Sequence, residues 1–293
     1  MTEESKNLSP QPEDLAPNDE VTGPLGGEDI FQEELPYTQT ILDKLPADFR
    51  DGAISNHNAM RDVVSHYIKA GKLSENYRLP ELNELADRVA ILMPIFDVMQ
   101  QKGWKPEVVL VPKGLSLDTW NTLLTGHRLP DGKLSEGLAY PENILDNPEP
   151  VSDETDRWEV VVISAGSRPP IREVRPDGAN DKYTQKMNAL IADLLDKTKS
   201  SSLPTVRRFS PSREAYLALQ LTQFARHKPP VDAIYGGSQT IAKELHEELY
   251  AWRLGWDEFS NRITCNFYRI DATTEDVGLR PTIMEQELEL KLI

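Results

Sequence analysis

The sequence predicts an α+β protein, and three observations carry that prediction. Apolar residues recur every three or four positions in several windows, as an amphipathic helix requires. Two apolar runs, Val108-Val109-Leu110-Val111 and Trp158-Glu159-Val160-Val161-Val162-Ile163, are short and rich in β-branched residues, which suits strands. The first 36 residues follow neither pattern: they hold ten acidic side chains against the single Lys6, interspersed with Pro and Gly. Such a segment buries too little apolar surface to offset the entropy of ordering, so it is expected to be a disordered acidic tail over 1–36.

A helical region is expected over 37–104. Met60, Val63, Val64, Tyr67 and Ile68 mark one amphipathic helix. Leu82, Leu85, Val89, Leu92, Phe96 and Met99 mark a second behind Pro80, kinked at Pro94, where a backbone donor is missing. Gly103 ends that helix, and the run at 108–111, bounded by Pro112 and Gly114, reads as a buried strand. Ser116 caps a short helix bearing Leu117, Trp120, Leu123 and Leu124. From 126 to 156 the chain is rich in Gly, Pro, Asp and Asn and reads as a long surface loop. The strand at 158–163 stops at Gly166 and Pro169-Pro170, and a turn follows at Asp177-Gly178.

Met187, Leu190, Ile191, Leu194 and Leu195 predict a further helix, broken by the segment 200–204. Ser210-Pro211 supplies a cap and a first-turn proline for a helix with Tyr216, Leu217, Leu221 and Phe224, which stops before Pro229-Pro230. Ile241, Leu245 and Leu249 are spaced as the stripe of one more helix. Short strands are expected within 263–270 and 277–283, and 287–293 alternates as a half-buried terminal strand would.

Charge and composition narrow the function. A net charge of -16 with no basic cluster repels phosphate backbones, which argues against nucleic acid as a direct partner. No apolar run reaches the length needed to span a bilayer, and the first residues lack a secretion signal, so cytoplasmic residence without membrane insertion is expected. The lone Cys265 permits neither an intramolecular disulfide nor a cysteine zinc site and reads as a small buried side chain. The five histidines show no metal-ligand spacing; His246, beside Glu244, Glu247 and Glu248, reads as a member of a solvated helix face. No metal and no cofactor are expected, and Ser164-Ala165-Gly166-Ser167-Arg168 lacks the lysine and glycine spacing of a phosphate loop.

The most informative stretch lies near the C-terminus. Gly255-Trp256-Asp257-Glu258-Phe259 opens a polar run that closes on Val277-Gly278-Leu279-Arg280-Pro281-Thr282-Ile283. Between them stand Asn261, Thr264, Asn266, Tyr268, Arg269, Asp271, Thr273 and Thr274, a mixture of adaptable hydrogen bonders and rigid aromatics like that of an antibody paratope. That composition points to a binding surface. Trp256 suits either stacking on a ligand or plugging the core, and Arg280, beside Pro281, suits carbonyls or a nearby acid better than a ligand carboxylate.

Tyr216-Leu217-Ala218-Leu219-Gln220, Pro229-Pro230-Val231-Asp232, Gly255-Trp256 and the closing Gly278-Leu279-Arg280-Pro281, in that order, resemble the C-terminal half of a family of bacterial and phage-associated proteins. These have a C-type-lectin-like fold, shared with formylglycine-generating enzymes, and the best understood members are variable proteins diversified by retroelements. The resemblance spans about residues 105–283 and implies a C-type-lectin-like ligand-binding domain over 105–293. It implies that Gly255, Gly278, Arg280 and Pro281 are scaffold. Trp256, Asp257, Glu258, Asn261, Thr264, Asn266, Tyr268, Arg269, Asp271 and Thr273 would be ligand contacts, and the ligand a protein or a small molecule. The calcium-lectin signatures are absent, and one cysteine does not suffice for the oxidase chemistry of the formylglycine-generating enzymes.

Two other readings stand beside it. Asp131, Glu142 or Asp146, with His127, would serve a hydrolase or transferase if two of them converged on one pocket. A structural assembly subunit would associate through the edge carrying Leu288, Leu290 and Leu292.

Overall fold

The computed structural model describes residues 39–141, 157–175, 181–198, 205–246, 248–272 and 275–288. The expected tail 1–36, the turn at Asp177-Gly178, the breaker 200–204 and the 142–156 half of the predicted loop lie outside them. Helices α1 (Gln39–Leu42) and α2 (Ala47–Lys69) open the described chain. Phe49, Ala53, Met60, Val63, Val64 and Tyr67 form the buried stripe of α2, at the three-to-four spacing that gives a helix one apolar face. The second predicted helix is two helices, α3 (Ala86–Ala90) and α4 (Met93–Gln101). Pro94 sits in the first turn of α4, where the missing amide has no partner to lose, so it starts a helix instead of kinking one.

Strand β1 (Pro106–Pro112) comes next, then α5 (Leu117–Leu124), whose cap Ser116 accepts the Thr119 N–H at 3.1 Å. The described portion of the predicted loop is not structureless: β2 (Thr125–Arg128), β3 (Leu134–Glu136) and β4 (Leu138–Ala139) divide it. Strand β5 (Trp158–Ser164) is buried along its whole length, Glu159 and Ser164 included, around its Val160–Ile163 run, and the short β6 (Ile171–Arg172) follows. Then come α6 (Asp181–Leu195), α7 (Thr205–Arg208) and α8 (Arg213–Ala225). The cap of α8 is Ser212, whose hydroxyl accepts the Ala215 N–H at 3.0 Å, and not Ser210-Pro211. Pro211 serves a different purpose, its carbonyl accepting the Lys243 N–H at 2.8 Å.

The remaining chain is sheet: β7 (Gln239–His246), β8 (Tyr250–Asp257), β9 (Arg262–Arg269), β10 (Val277–Leu279) and β11 (Thr282–Met284). The helix expected from Ile241, Leu245 and Leu249 is therefore a strand. A register shift between Ile241 and Leu245 places both on β7, while Leu249 stands in the turn to β8, largely exposed. Spacing alone did not separate a bulged strand from a helical stripe. His246 accordingly lies at a strand end and not on a helix face. After β11 a 3-10 turn at Glu285–Glu287 leads to Leu288, which is buried and bridges Thr198; residues 289–293 lie outside the described chain.

Among the described residues the strands form sheets in the orders β1-β5-β11 and β4-β9-β8-β7-β10-β6, with β2-β3 as a separate pair. β1 is the edge of the first sheet, and α2 covers it: Asn56 Nδ2 donates to Val108 O at 2.6 Å. The segment just after α8 adds Arg226 and Lys228, which meet the Glu107 carboxylate at 3.0 Å each. Phe49, Met60 and Phe96 belong to the same buried cluster as Val109, Val161, Tyr216 and Leu254. The helices of 37–104 and the sheets after 105 thus share one core, so the boundary expected at 104/105 does not separate independent cores. No helix among the described residues is long and apolar enough to cross a membrane.

Candidate functional site on the C-terminal sheet

Arg280 lies between β10 and β11, where the chain leaves the six-stranded sheet for the three-stranded one. Its side chain is fully buried, and so is Asp232. Nε and Nη2 of Arg280 donate to the two oxygens of Asp232 at 2.9 and 2.7 Å, and Nη1 donates to Ser164 O, at the end of β5, at 2.6 Å. The remaining capacity of the carboxylate is filled by the hydroxyls of Ser238 at 3.1 Å and Thr240 at 2.6 Å. A buried ion pair tolerates loss of water when its geometry is bidentate and its remaining lone pairs are satisfied, and both conditions hold here. Arg280 pairs with an acid of the fold and is not free to meet a ligand.

The segment carrying Asp232 is fixed from the other side by α8. Gln220 accepts the Val231 N–H and donates to Val231 O, at 3.2 and 2.9 Å, and also donates to the Tyr216 hydroxyl at 2.8 Å. Asp232 O then accepts the Trp256 N–H at 2.8 Å, tying the end of β8 to this network. Close approach explains both scaffold glycines. A Cβ on Gly255 would stand 2.9 Å from Ile234 Cγ1, and one on Gly278 would stand 2.6 Å from Ile171 O and 2.7 Å from Pro169 Cβ. Pro281 is buried, and its carbonyl accepts the Ser164 N–H at 3.0 Å.

β8 and β9 pair antiparallel from Tyr250↔Arg269 to Asp257↔Arg262, and residues opposite each other share a face. The inner face carries Trp252, Leu254, Trp256, Ile263 and Cys265, all buried. Phe224 of α8 meets Trp256 edge to face at 5.5 Å between ring centroids. Trp256 is therefore a core plug, and the expectation that it contacts a ligand is corrected: its alternation with Leu254 turns it inward. Burial pushes the Cys265 thiol up to about 12, so it stays protonated and unreactive.

The outer face carries Arg253 opposite Asn266, Gly255 opposite Thr264, and Asp257 opposite Arg262. Asn266 is exposed and Thr264 partly so, its hydroxyl donating to Gly255 O at 3.3 Å. Tyr268, opposite Ala251 on this face, is a second correction. Only 6% of it is exposed, so it is packing and not an open contact. Arg253 lies over its ring, 6.0 Å from the centroid. Arg269 and Asp271 are exposed and pair with each other at 2.7 Å, and Thr273 lies outside the described residues.

At the β8–β9 turn Asp257 has a local task. Its carboxylate accepts from the Ser260 hydroxyl at 2.7 Å and from the Phe259 and Ser260 N–H groups at 2.9 and 3.3 Å, and these bonds hold its pKa below the usual value. Asn261 takes a left-handed conformation, φ 51°, which asparagine adopts more readily than most residues. Glu258 accepts the Tyr235 N–H at 3.2 Å, joining this turn to the 3-10 turn at Ile234–Gly236. On the joined turns stand Tyr235 and Phe259, 64% and 76% exposed, with rings perpendicular at 4.1 Å. Tyr235 and Arg253 are not marked by the sequence pattern as first read. The alternation Tyr250-Trp252-Leu254-Trp256 against Ala251-Arg253-Gly255-Asp257 is the signal that finds Arg253 once β8 is read as a strand.

The residues of the rival enzymatic reading are engaged separately. Asp131 closes its own turn on Lys133, its side chain about half exposed, while His127 Nε2 bonds Leu123 O at 2.8 Å and burial lowers its pKa. Glu142 and Asp146 lie outside the described residues. No group of His, Cys, Asp and Glu among the described residues could hold a metal ion. No protein-family model matches the chain, and neither a curated protein nor a solved structure matches it.

Proposed function

We propose that this is a non-enzymatic ligand-binding protein of the cytoplasm, whose C-terminal sheet presents a tolerant recognition surface in a C-type-lectin-like setting. The carrying observation is the separation of labour on one hairpin. Asp232, Gly255, Gly278 and Arg280 are buried and fix the backbone, while Glu258, Phe259, Asn266, Arg269 and Asp271 make few or only local bonds and reach solvent. A frame held from behind limits the entropy lost on binding and lets outward side chains change without disturbing the core. Diversification by a retroelement belongs to the reading. The partner is a protein or a small molecule; nucleic acid is disfavoured by the charge of -16. The reading asks for no cofactor and no membrane insertion.

Display libraries randomised at Glu258, Phe259, Asn266, Arg269 and Asp271 test it. Most members are expected to fold, since surface substitutions usually change stability by about 0.5 kcal/mol or less. Panning against unrelated proteins should return binders whose affinity traces to these positions. Libraries that fail to fold, or that fold and yield no binders, refute the reading. For diversification, the encoding DNA should hold a nearby imperfect copy of this segment, differing mainly at adenines and close to a reverse-transcriptase gene. Absence of both removes that component and leaves ordinary binding.

A further inference from the structure

We propose that Arg253 anchors a site for a carboxylate-bearing ligand on the outer face of the β8–β9 hairpin, an assignment that rests on the recognition-surface reading and names its chemistry. Arg253 is partly exposed, yet its Nε is buried and has no hydrogen-bond partner among the described residues. The chain is not short of acids to pair with it, having 48 Asp and Glu against 32 Lys and Arg. Arg88, Arg226 and Arg280 each meet a carboxylate, whereas Arg253 has no ion pair among the described residues. The Tyr268 ring beneath it restrains the guanidinium without using its donors.

A buried donor left unmatched is costly and is commonly explained by an absent partner. That partner must be an acceptor, since guanidinium only donates, and the planar fork suits a carboxylate held by two parallel bonds. Asn266, exposed and directly opposite on β9, places an amide that can donate to the same group. Ligand charge separates the candidate anions. A molecule of net charge -16 repels a polyphosphate more strongly than a single carboxylate, and one arginine compensates only one charge. The acid could be a free organic acid or an Asp or Glu side chain on a peptide; the chemistry at Arg253 is the same.

The test follows the arginine Nε–Hε signals of the full chain by NMR during titration with sodium acetate and, separately, with N-acetyl-aspartate methylamide, each against sodium chloride at equal ionic strength. A saturable shift of the Arg253 signal with at least one acid, absent with chloride, is expected. Followed through the Thr264 and Asn266 backbone amides, Arg253→Gln should weaken that acid about tenfold or more, as loss of a charge-assisted pair does, and Arg253→Lys should recover only a fraction of the affinity because the fork is lost. A response to acetate assigns the site to free acids, and a response to the aspartate derivative alone assigns it to peptide-borne carboxylates. Shifts that do not saturate, that chloride reproduces, or that persist at equal affinity in Arg253→Gln overturn the proposal. An acid that moves the Thr264 and Asn266 backbone amides but not Arg253 overturns it too, while leaving the recognition surface standing. The surface itself falls only with the libraries.

Discussion

Asp232 combines two demands in one residue: a left-handed backbone, φ 60°, and a carboxylate enclosed with Arg280 away from water. Asparagine adopts the same backbone at little cost, so Asp232→Asn isolates the charge. It leaves the Arg280 guanidinium buried beside a neutral amide, and breaking a buried pair in this way costs about 3–5 kcal/mol. The denaturant midpoint of Asp232→Asn is expected to fall accordingly with the slope unchanged. A midpoint within experimental error of the parent protein contradicts the role given to the pair. Of the residues at the candidate site, the resemblance implied that Gly255, Gly278, Arg280 and Pro281 are frame. The sequence did not mark Asp232 as the partner of Arg280, because the two stand 48 positions apart and no local pattern joins them.

At the scale of elements, the junction of β7 with α8 sets a pH dependence. Glu244 on β7 accepts the Arg213 N–H at the start of α8 at 2.9 Å, and desolvation, with Glu214 nearby, pushes its carboxyl up to about 7 from an ordinary 4.5. The native chain therefore keeps a proton that the unfolded chain releases. This contribution to stability is full below about pH 4.5 and is lost as pH rises through 7. Between pH 5 and 8 the melting temperature of Glu244→Gln should fall less than that of the parent, because the amide has no proton to lose. Equal pH profiles for the two proteins would exclude this origin. The same junction shows where local pattern reaches its limit. Helices with a clear stripe or cap, α2, α5, α6 and the body of α8, and the strands β1, β5 and β9 follow from spacing and end signals. β7 does not: Ile241 and Leu245 stand four apart, the spacing of a helical stripe, and only the pairing with β8 shows that the segment is extended.

Over the whole molecule, one core lies beneath helices and both larger sheets, and its organisation is set by contacts between distant segments. α2 covers the edge of β1, and Arg88 pairs with Glu285 while donating to Trp158 O at 2.7 Å, linking α3 to β5 and to the turn after β11. Residue types alone made the candidate surface legible, since polar and aromatic residues crowd between two glycine-containing frames. Which of them face outward was not legible, because that depends on strand register: one position of slip moves every side chain to the other face. Trp256 was misplaced and Arg253 passed over for this reason, whereas Tyr268 stands on the outer face but is packed there.

Arg280 reaches back 48 positions to Asp232 and 116 positions to Ser164. Contacts across such separations repay the entropy of closing the chain only after most of the molecule has assembled. The latch that joins the two sheets should therefore close after the main kinetic barrier. Arg280→Met is expected to leave the refolding rate nearly unchanged and to speed unfolding, so that the pair governs how long the protein lasts, not how quickly it forms.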